Sequence, residues 1–293
     1  MPGVIDWAIS ASCGRRSATL PAMTIDFHCH TTASDGELSP RDLLELAQRS
    51  GVTRLSITDH DSVAAYQALN PLPGLELIGG VEFSTLWNKT GLHILGLNID
   101  PFCPAMLEAV AFQRNARLGR AEKIAEKLEK YGVVAPLEGA RSLASAGNVG
   151  RPHFARHMVA TGFVKDEKEA FKKYLGSGKS CDIRQCWAEP EQIVAWIRAA
   201  GGVAVLAHPA KYNLTRSKLV SFLEAFKGWG GGGLEVVSGI QLPAVTRDLA
   251  RLCEQLDLSA SWGSDFHRPG QSWAQLGRYS APPQHLTPVW HDW

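Results

Sequence analysis

Residues 24–36 read Thr24-Ile25-Asp26-Phe27-His28-Cys29-His30-Thr31-Thr32-Ala33-Ser34-Asp35-Gly36. A β-branched and aromatic run ends here in a polar cluster, the pattern of a strand that delivers functional groups at its carboxyl end. The two-residue period of a strand puts His28 and His30 on one side, so both imidazoles can hold one ion from a single strand end. Cys29 points the other way and reads as structural. The same spacing returns in Asp265-Phe266-His267.

Outward from this stretch the chain repeats one theme. Residues 54–58 lead to Asp59-His60-Asp61, 75–80 to Glu82, 203–207 to His208 and 259–262 to Asp265; residues 92–97 carry His93 and 234–237 carry Glu235. Helical patterns separate most of these runs. Such alternation predicts parallel βαβ units, whose functional groups gather at the strands' carboxyl ends. Residues 104–186 break the rhythm. Leu107, Val110, Arg114, Leu118, Ala121, Ala125 and Leu128 recur at steps of three and four, the mark of one face of a long helix. A second helix is expected near Gly150-Arg151-Pro152, where proline suits a first helical position, and a third over about 166–174. Helices without strands predict a small helical lid inserted into a body formed by residues 23–103 and 187–293. Residues 1–22 read as a tail.

Composition excludes several classes. At 45% hydrophobic and 20% charged, the 293-residue chain can bury a sizeable core, so it is globular rather than disordered. Thirty basic against 29 acidic residues leave +1, too little to hold a long nucleic-acid duplex by counterion release. No apolar run spans a bilayer and residues 1–22 lack a signal-peptide core, which predicts a cytoplasmic protein without a membrane or obligate protein partner. The six cysteines are scattered, so they read as reduced thiols; Cys181 and Cys186 lack the second Cys/His pair that a zinc site needs. Nine tryptophans are too dispersed to suggest a base-stacking platform.

Six histidines at or beside strand ends, His28, His30, His60, His93, His208 and His267, together with Asp35, Glu82 and Asp265, form nine candidate ligands on separate strands. They can converge only if the sheet closes or nearly closes. Imidazole and carboxylate donors suit manganese, zinc or iron better than calcium.

These motifs, His28-Cys29-His30 through Asp35-Gly36, Thr58-Asp59-His60-Asp61, Gly80-Val81-Glu82 with His93, Ala207-His208-Pro209 and Gly263-Ser264-Asp265-Phe266-His267, resemble in order those of the polymerase-and-histidinol-phosphatase (PHP) superfamily of metal-dependent phosphoesterases. The resemblance implies an α/β fold, a distorted (β/α)7-type barrel with the helical lid inserted. It implies two to three divalent ions per chain: one held by His28, His30, Glu82 and Asp265, a second by Glu82, His93 and His208 with Glu82 bridging, and a third by Asp35, His60 and His267. Some members have histidine at the Asp35 position; a carboxylate there tips the choice toward manganese. Catalysis would rest on Glu82, Asp265 and His208. Hydroxide held between two ions about 3.5–4 Å apart would attack phosphorus in line, without a Ser, Cys or Asp nucleophile.

Gly150-Arg151-Pro152-His153 is similar to a stretch in a bacterial PHP subgroup acting on nucleoside 3′,5′-bisphosphates and on the 5′ ends of short RNA. That likeness implies phosphate contacts from Arg151 and His153; as bare sequence the same residues read more readily as a helix cap with an exposed arginine. Arg114, on the apolar stripe, and Lys211, after His208-Pro209, are further substrate-binding candidates, whereas Arg117 and Arg120 could belong to a solvated charge face. The expected activity is removal of the 3′-phosphate from a nucleoside 3′,5′-bisphosphate, with 5′-to-3′ hydrolysis of short 5′-phosphorylated RNA, or of another small phosphate ester, as the alternative. An amidohydrolase would place a lysine or carboxylated lysine where Glu82 stands, and a polymerase accessory module would need a polymerase segment.

Overall fold

The computed structural model describes residues 24–144, 149–183, 187–212 and 214–293. The expected tail, residues 1–22, and Cys13 and Cys186 lie outside them. The fold is mixed α/β with two sheets. The first pairs β1 (Ile25–Asp26), β2 (Arg54–Ser56) and β3 (Glu76–Ile78) in parallel. The second has the order β4 (Gly80–Trp87), β5 (Thr90–Leu97), β6 (Val203–Leu206), β7 (Gly233–Ser238), β8 (Ser259–Gly263). Isolated bridges join the sheets at the strand ends, Cys29 with Phe266 and His60 with Glu82. Backbone bonds reinforce both seams: Asp265 N donates to His28 O at 2.8 Å, His30 N to Phe266 O at 2.8 Å and Asp61 N to Glu82 O at 2.8 Å. The segments that follow β1, β2 and β8 are thus drawn against one another and against β4.

Uniform βα alternation does not hold. β4 and β5 form an antiparallel hairpin, and β5 and β6 are also antiparallel. The cause is local: Asn88 and Lys89 take φ of 45° and 68°, the two consecutive left-handed residues of the tight turn whose twist suits a hairpin. Glu82 and His93 therefore project from within long strands and not from strand ends.

Proline begins most of the longer helices, where a missing N–H and fixed φ cost nothing: Pro40 in α1 (Pro40–Arg49), Pro104 in α2 (Pro104–Lys130), Pro136 in α3 (Pro136–Leu143), Pro190 in α6 (Pro190–Ala199) and Pro243 in α8 (Pro243–Leu256), while α7 (Arg216–Gly228) starts from a Thr215 cap. The helical stretch comprises α2, α3, α4 (Arg151–Ala160) and α5 (Glu167–Ala170), the last running into a π-turn over Phe171–Leu175. It has its own core, including Ile124, Leu128, Phe154, Met158 and Leu175, apart from the sheet cores. The eight-residue α3 has no counterpart in the helices expected from periodicity.

The buried face of α2 follows the apolar stripe at Ala121, Ala125 and Leu128 but departs from it in the earlier turns. Met106, Ala109, Gln113, Arg117, Arg120, Ile124 and Leu128 are buried, whereas Leu107 and Arg114 are exposed. Met106 and Ala109 belong to the core of the sheet body, and Ala121 onward to the helical core, so α2 spans both. Its middle turns bury polar side chains, which a search for apolar periodicity passes over.

Candidate metal centre

Glu82 is the hub of the nine expected donors, with five of the six histidines against it. Its Oε1 lies 2.9 Å from His93 Nδ1 and 2.9 Å from His208 Nε2; its Oε2 lies 2.9 Å from His60 Nδ1, 3.3 Å from His30 Nε2 and 3.4 Å from His28 Nε2. Asp265 Oδ1 is 3.4 Å from the Nε2 of both His28 and His30. Asp35 faces His267 at 3.5 Å and His60 at 4.0 Å. Each of the four ligand-sized groupings in this cluster joins donors from separate segments: His28, Glu82 and His208; His28, His30 and Asp265; His60, Glu82 and His93; and His30, Asp35, His60 and His267. His60 thus stands between Glu82 and Asp35, a more shared position than the sequence assignment gave it.

The donor set fits divalent cations. Buried His28 Nε2, both ring nitrogens of His30, Asp35 Oδ1, Glu82 Oε2 and His208 Nδ1 make no hydrogen bond. Buried polar atoms are costly without partners, and so many aimed at one small volume are what coordination resolves. Burial would push the Glu82 carboxyl up, but His60, His93 and His28 hold it well below the usual carboxylate range. Asp265 is likewise held down, against burial, by His28 and Lys211. Burial drives His30 down to about 3 and His93 down to about 4, leaving neutral imidazoles with lone pairs to donate.

Outer residues aim these donors. Glu235, which the sequence reading placed on a strand without a role, accepts from the His208 amide at 2.5 Å and lies 2.8 Å from His28 Nδ1, so His28 presents Nε2 to the cluster. The signal was available: β7 is apolar apart from Glu235 and Ser238, and Glu235 is buried. Asp59 accepts from Thr31 N, Thr31 Oγ1 and Ser34 Oγ at 2.7, 2.6 and 2.5 Å, fixing the loop that carries Asp35. Asp26 accepts from Ser264 N and Gly277 N at 2.8 Å each, fixing the approach to Asp265. His208 and Asp265 have φ of 26° and 55°, strained for side-chain-bearing residues and typical of positions that the surroundings over-determine. Cys29 turns into the core and its Sγ donates to Ser56 O.

Two clefts flank the cluster and meet at Asp35, Pro152 and Lys211. One, of about 430 Å³, opens beside His60 and His93 and is lined by Arg117, Arg120 and Arg151. The other, of about 360 Å³, opens beside Asp265 and His267. Lys211 Nζ pairs with Asp265 at their junction. Arg117 pairs with buried Asp61, which also takes Ser84 N and Gln113 Nε2, so α2 is tied to the strand of Glu82. The guanidinium groups of Arg117 and Arg120 each lie 5.2 Å from the centre of the Trp187 ring. Arg151 NH1 donates to Leu175 O at 3.2 Å.

Two substrate candidates are corrected. Arg114 is exposed and lines neither cleft, because the inward face of α2 runs through Gln113 and Arg117 instead. His153 is buried and lines neither cleft; its Nδ1 accepts the Gly150 amide at 3.0 Å, and burial lowers it to about 4. A neutral ring occupied in capping its own helix offers a phosphate no positive charge.

A family model described as the PHP domain matches residues 26–174, and a 5′-3′ exoribonuclease from Haemophilus influenzae is 42% identical over 268 residues, 90% of this chain and 97% of the relative. The chain belongs to the PHP family. A 3′,5′-nucleoside bisphosphate phosphatase from Chromobacterium violaceum is 36% identical over 272 residues, 92% of this chain and 95% of that one. The fold is similar to a solved structure of an amidohydrolase from Chromobacterium violaceum with bound sulfate and no metal, at 35% identity and a TM-score of 0.83, with 92% of this PHP chain and 95% of the other covered. Among the described residues of this PHP protein, no helix is long and apolar enough to cross a membrane.

Proposed function

We propose that this PHP protein hydrolyses the phosphoester on the 3′-oxygen of a nucleotide whose 5′-phosphate is recognised separately. From a nucleoside 3′,5′-bisphosphate it releases phosphate; from short 5′-phosphorylated RNA it releases the first nucleotide as a 5′-monophosphate. In both, water's oxygen bonds to phosphorus, the bond from phosphorus to the 3′-oxygen breaks, and the 3′-oxygen takes a proton. The RNA reading is favoured by the 42% identity to an exoribonuclease along nearly its whole length. The observation that carries the proposal is the adjacency of a nine-donor cluster to a cleft walled by Arg117, Arg120 and Arg151.

The two to three divalent ions that these donors fit, with manganese the first choice, would supply charge against the phosphoryl oxygens and lower the pKa of the attacking water. Glu82, with both oxygens close to histidines, would be the ligand shared between ions; Asp265 and His208 would hold its flanks, and Asp35, His60 and His267 would form the outer group. Lys211, paired with Asp265 where the clefts meet, faces the position of the scissile phosphate. Arg151, at the α4 N-terminus, and Arg117 and Arg120 on α2 meet the 5′-phosphate, aided by the helix dipole. The strands act as a distorted barrel and residues 104–186 as its lid.

Product analysis with metal-loaded protein tests this, reading phosphate release from nucleoside 3′,5′-bisphosphates and from 3′- and 5′-monophosphates, and nucleoside 5′-monophosphate release from short RNA with and without a 5′-phosphate. Bisphosphate and 5′-phosphorylated RNA should be hydrolysed, 3′-monophosphate and 5′-hydroxyl RNA poorly, and 5′-monophosphate not at all. Comparable rates with and without the 5′-phosphate would overturn the two-phosphate reading.

A further inference from the structure

The cleft beside Asp265 and His267 has no task when a mononucleotide is bound. We infer that it receives the second nucleotide of a 5′-phosphorylated RNA, with Trp273 stacking against its base. This rests on the functional reading above, in which the first nucleotide fills the arginine-lined cleft and the scissile phosphate lies on the donor cluster.

Four observations converge. The two clefts share Asp35, Pro152 and Lys211, so a chain crossing the cluster from one must enter the other. The walls of the second cleft include Trp273 and Ile240, exposed by 60% and 55%, an aromatic face and an aliphatic neighbour left in water. Their backbones are fixed: Ile240 N donates to Trp273 O at 2.7 Å, and the adjoining Gly239 N donates to Gly263 O at 2.8 Å beside the Asp265 loop. Gly239 has φ of 61°, and a Cβ there would lie 2.4 Å from Trp273 O, so the close approach needs glycine. Trp273 is therefore presented at a set position relative to the donors.

Charge fixes the direction of the chain. The second cleft contains Arg156 and Arg268, but also Glu37 and Glu167, which hold Arg268 at 3.5 and 3.4 Å. A terminal phosphate dianion would be repelled by those carboxylates, whereas an internal nucleotide brings a neutral base and a single diester charge. The terminal 5′-phosphate accordingly belongs among the arginines of the first cleft and the downstream nucleotide here. Base stacking on an aromatic face tolerates any sequence, which suits an exonuclease that must accept each new end.

The test compares kcat/KM for a nucleoside 3′,5′-bisphosphate and for a 5′-phosphorylated dinucleotide, in wild-type and Trp273→Ala protein loaded with the same metal. The ratio of dinucleotide to bisphosphate should fall roughly tenfold in Trp273→Ala, the range of one lost stack, and return in Trp273→Phe. Ile240→Ser should lower the same ratio by a smaller factor. An unchanged ratio in Trp273→Ala, or an equal fall on both substrates, would overturn the subsite. Wild-type protein active on the bisphosphate but inert on the dinucleotide would overturn it too while leaving the phosphatase reading standing; protein inert on both would overturn that reading and this inference with it.

Discussion

The donor cluster and the helical wall beside it are built by opposite rules. Every donor comes from the sheet body, on a strand or on a loop that follows one, and several are aimed by buried carboxylates: His28 and His208 by Glu235, the Asp35 loop by Asp59 and the Asp265 loop by Asp26. The arginines of the first cleft come from helices, where side chains fan around an axis and burial of polar groups decides which face turns inward. α2 shows the difference within one element: its first turns pack on the sheet core, its last on the helical core, and Gln113 and Arg117 bridge the two through Asp61. A strand fixes where a side chain goes two residues at a time, whereas a helix leaves the choice to its neighbours.

If the division is real, substitutions on the sheet side should remove metal and those on the helical side should spare it. Glu82→Gln should have the largest effect, because it removes the one carboxylate touched by five histidines: activity should drop about a thousandfold or more and most bound metal should go, while the fold persists. Elemental analysis beside circular dichroism checks it; full metal content with normal turnover would end the bridging assignment. Glu235→Gln sharpens the point, since Glu235 touches no reacting group. Losing the orienting carboxylate should weaken metal affinity roughly ten- to a hundredfold, as read by titration with a competing chelator. An unchanged affinity would make Glu235 a packing residue only.

On the helical side, Arg151→Ala should keep its metal. Its side chain is about a third exposed, so the phosphate contact belongs at the lower end of charge-assisted bonds, and kcat/KM on the bisphosphate should fall by roughly tenfold. The measurement is steady-state kinetics paired with metal analysis. Loss of metal in this variant would break the division between the two regions, and normal kinetics would remove Arg151 from the site.

The same contrast explains what could be read in the sequence. The convergence of the nine residues was legible: His-x-His and Asp-x-His spacings translate directly into side-chain direction for His28, His30, Asp265 and His267, and Asp35, His60, Glu82, His93 and His208 stood out as polar groups on or after apolar runs. The hairpin of β4 and β5 was not, although Asn88-Lys89 between two apolar runs carried its turn signal; the regular βα rhythm around it masked a different connection. Arg114 was drawn inward by apolar spacing because Leu107 and Leu118 outweighed the polar Gln113 and Arg117. His153 was legible only as one of two alternatives, cap or phosphate contact, and geometry chose the cap. Glu235 and Asp61 were passed over because a lone acid on an apolar strand, or beside a histidine ligand, has no spacing rule until its partners are known.

The effect expected to be smallest near neutral pH concerns that cap and asks whether the helical region has its own sensitivity to acid. Folded protein keeps His153 neutral down to about pH 4, burial outweighing the pull of Asp35 and adding to the push of Arg156 and Arg117. In the unfolded segment the ring takes up a proton below its ordinary value of 6.5. Between those limits the unfolded state binds more protons, so acid destabilises the folded helical region; above pH 6.5 His153 contributes no pH dependence. The loss should be about 1 kcal/mol by pH 5.5 and reach about 3 kcal/mol near pH 4. Glutamine at this third helical position can still accept the Gly150 amide but cannot titrate. Hydrogen exchange of the α4 amides, taken as the ratio of wild type to His153→Gln at each pH in metal-free protein, isolates the contribution. Protection in wild type should decline more steeply than in the variant as pH falls from 6.5 toward 4, with strand amides of the sheet body showing no such difference. Parallel slopes in α4 would mean that the ring's protonation is not what acid acts on there, and equal divergence in the strands would show that the helical region and the sheet body open as one unit.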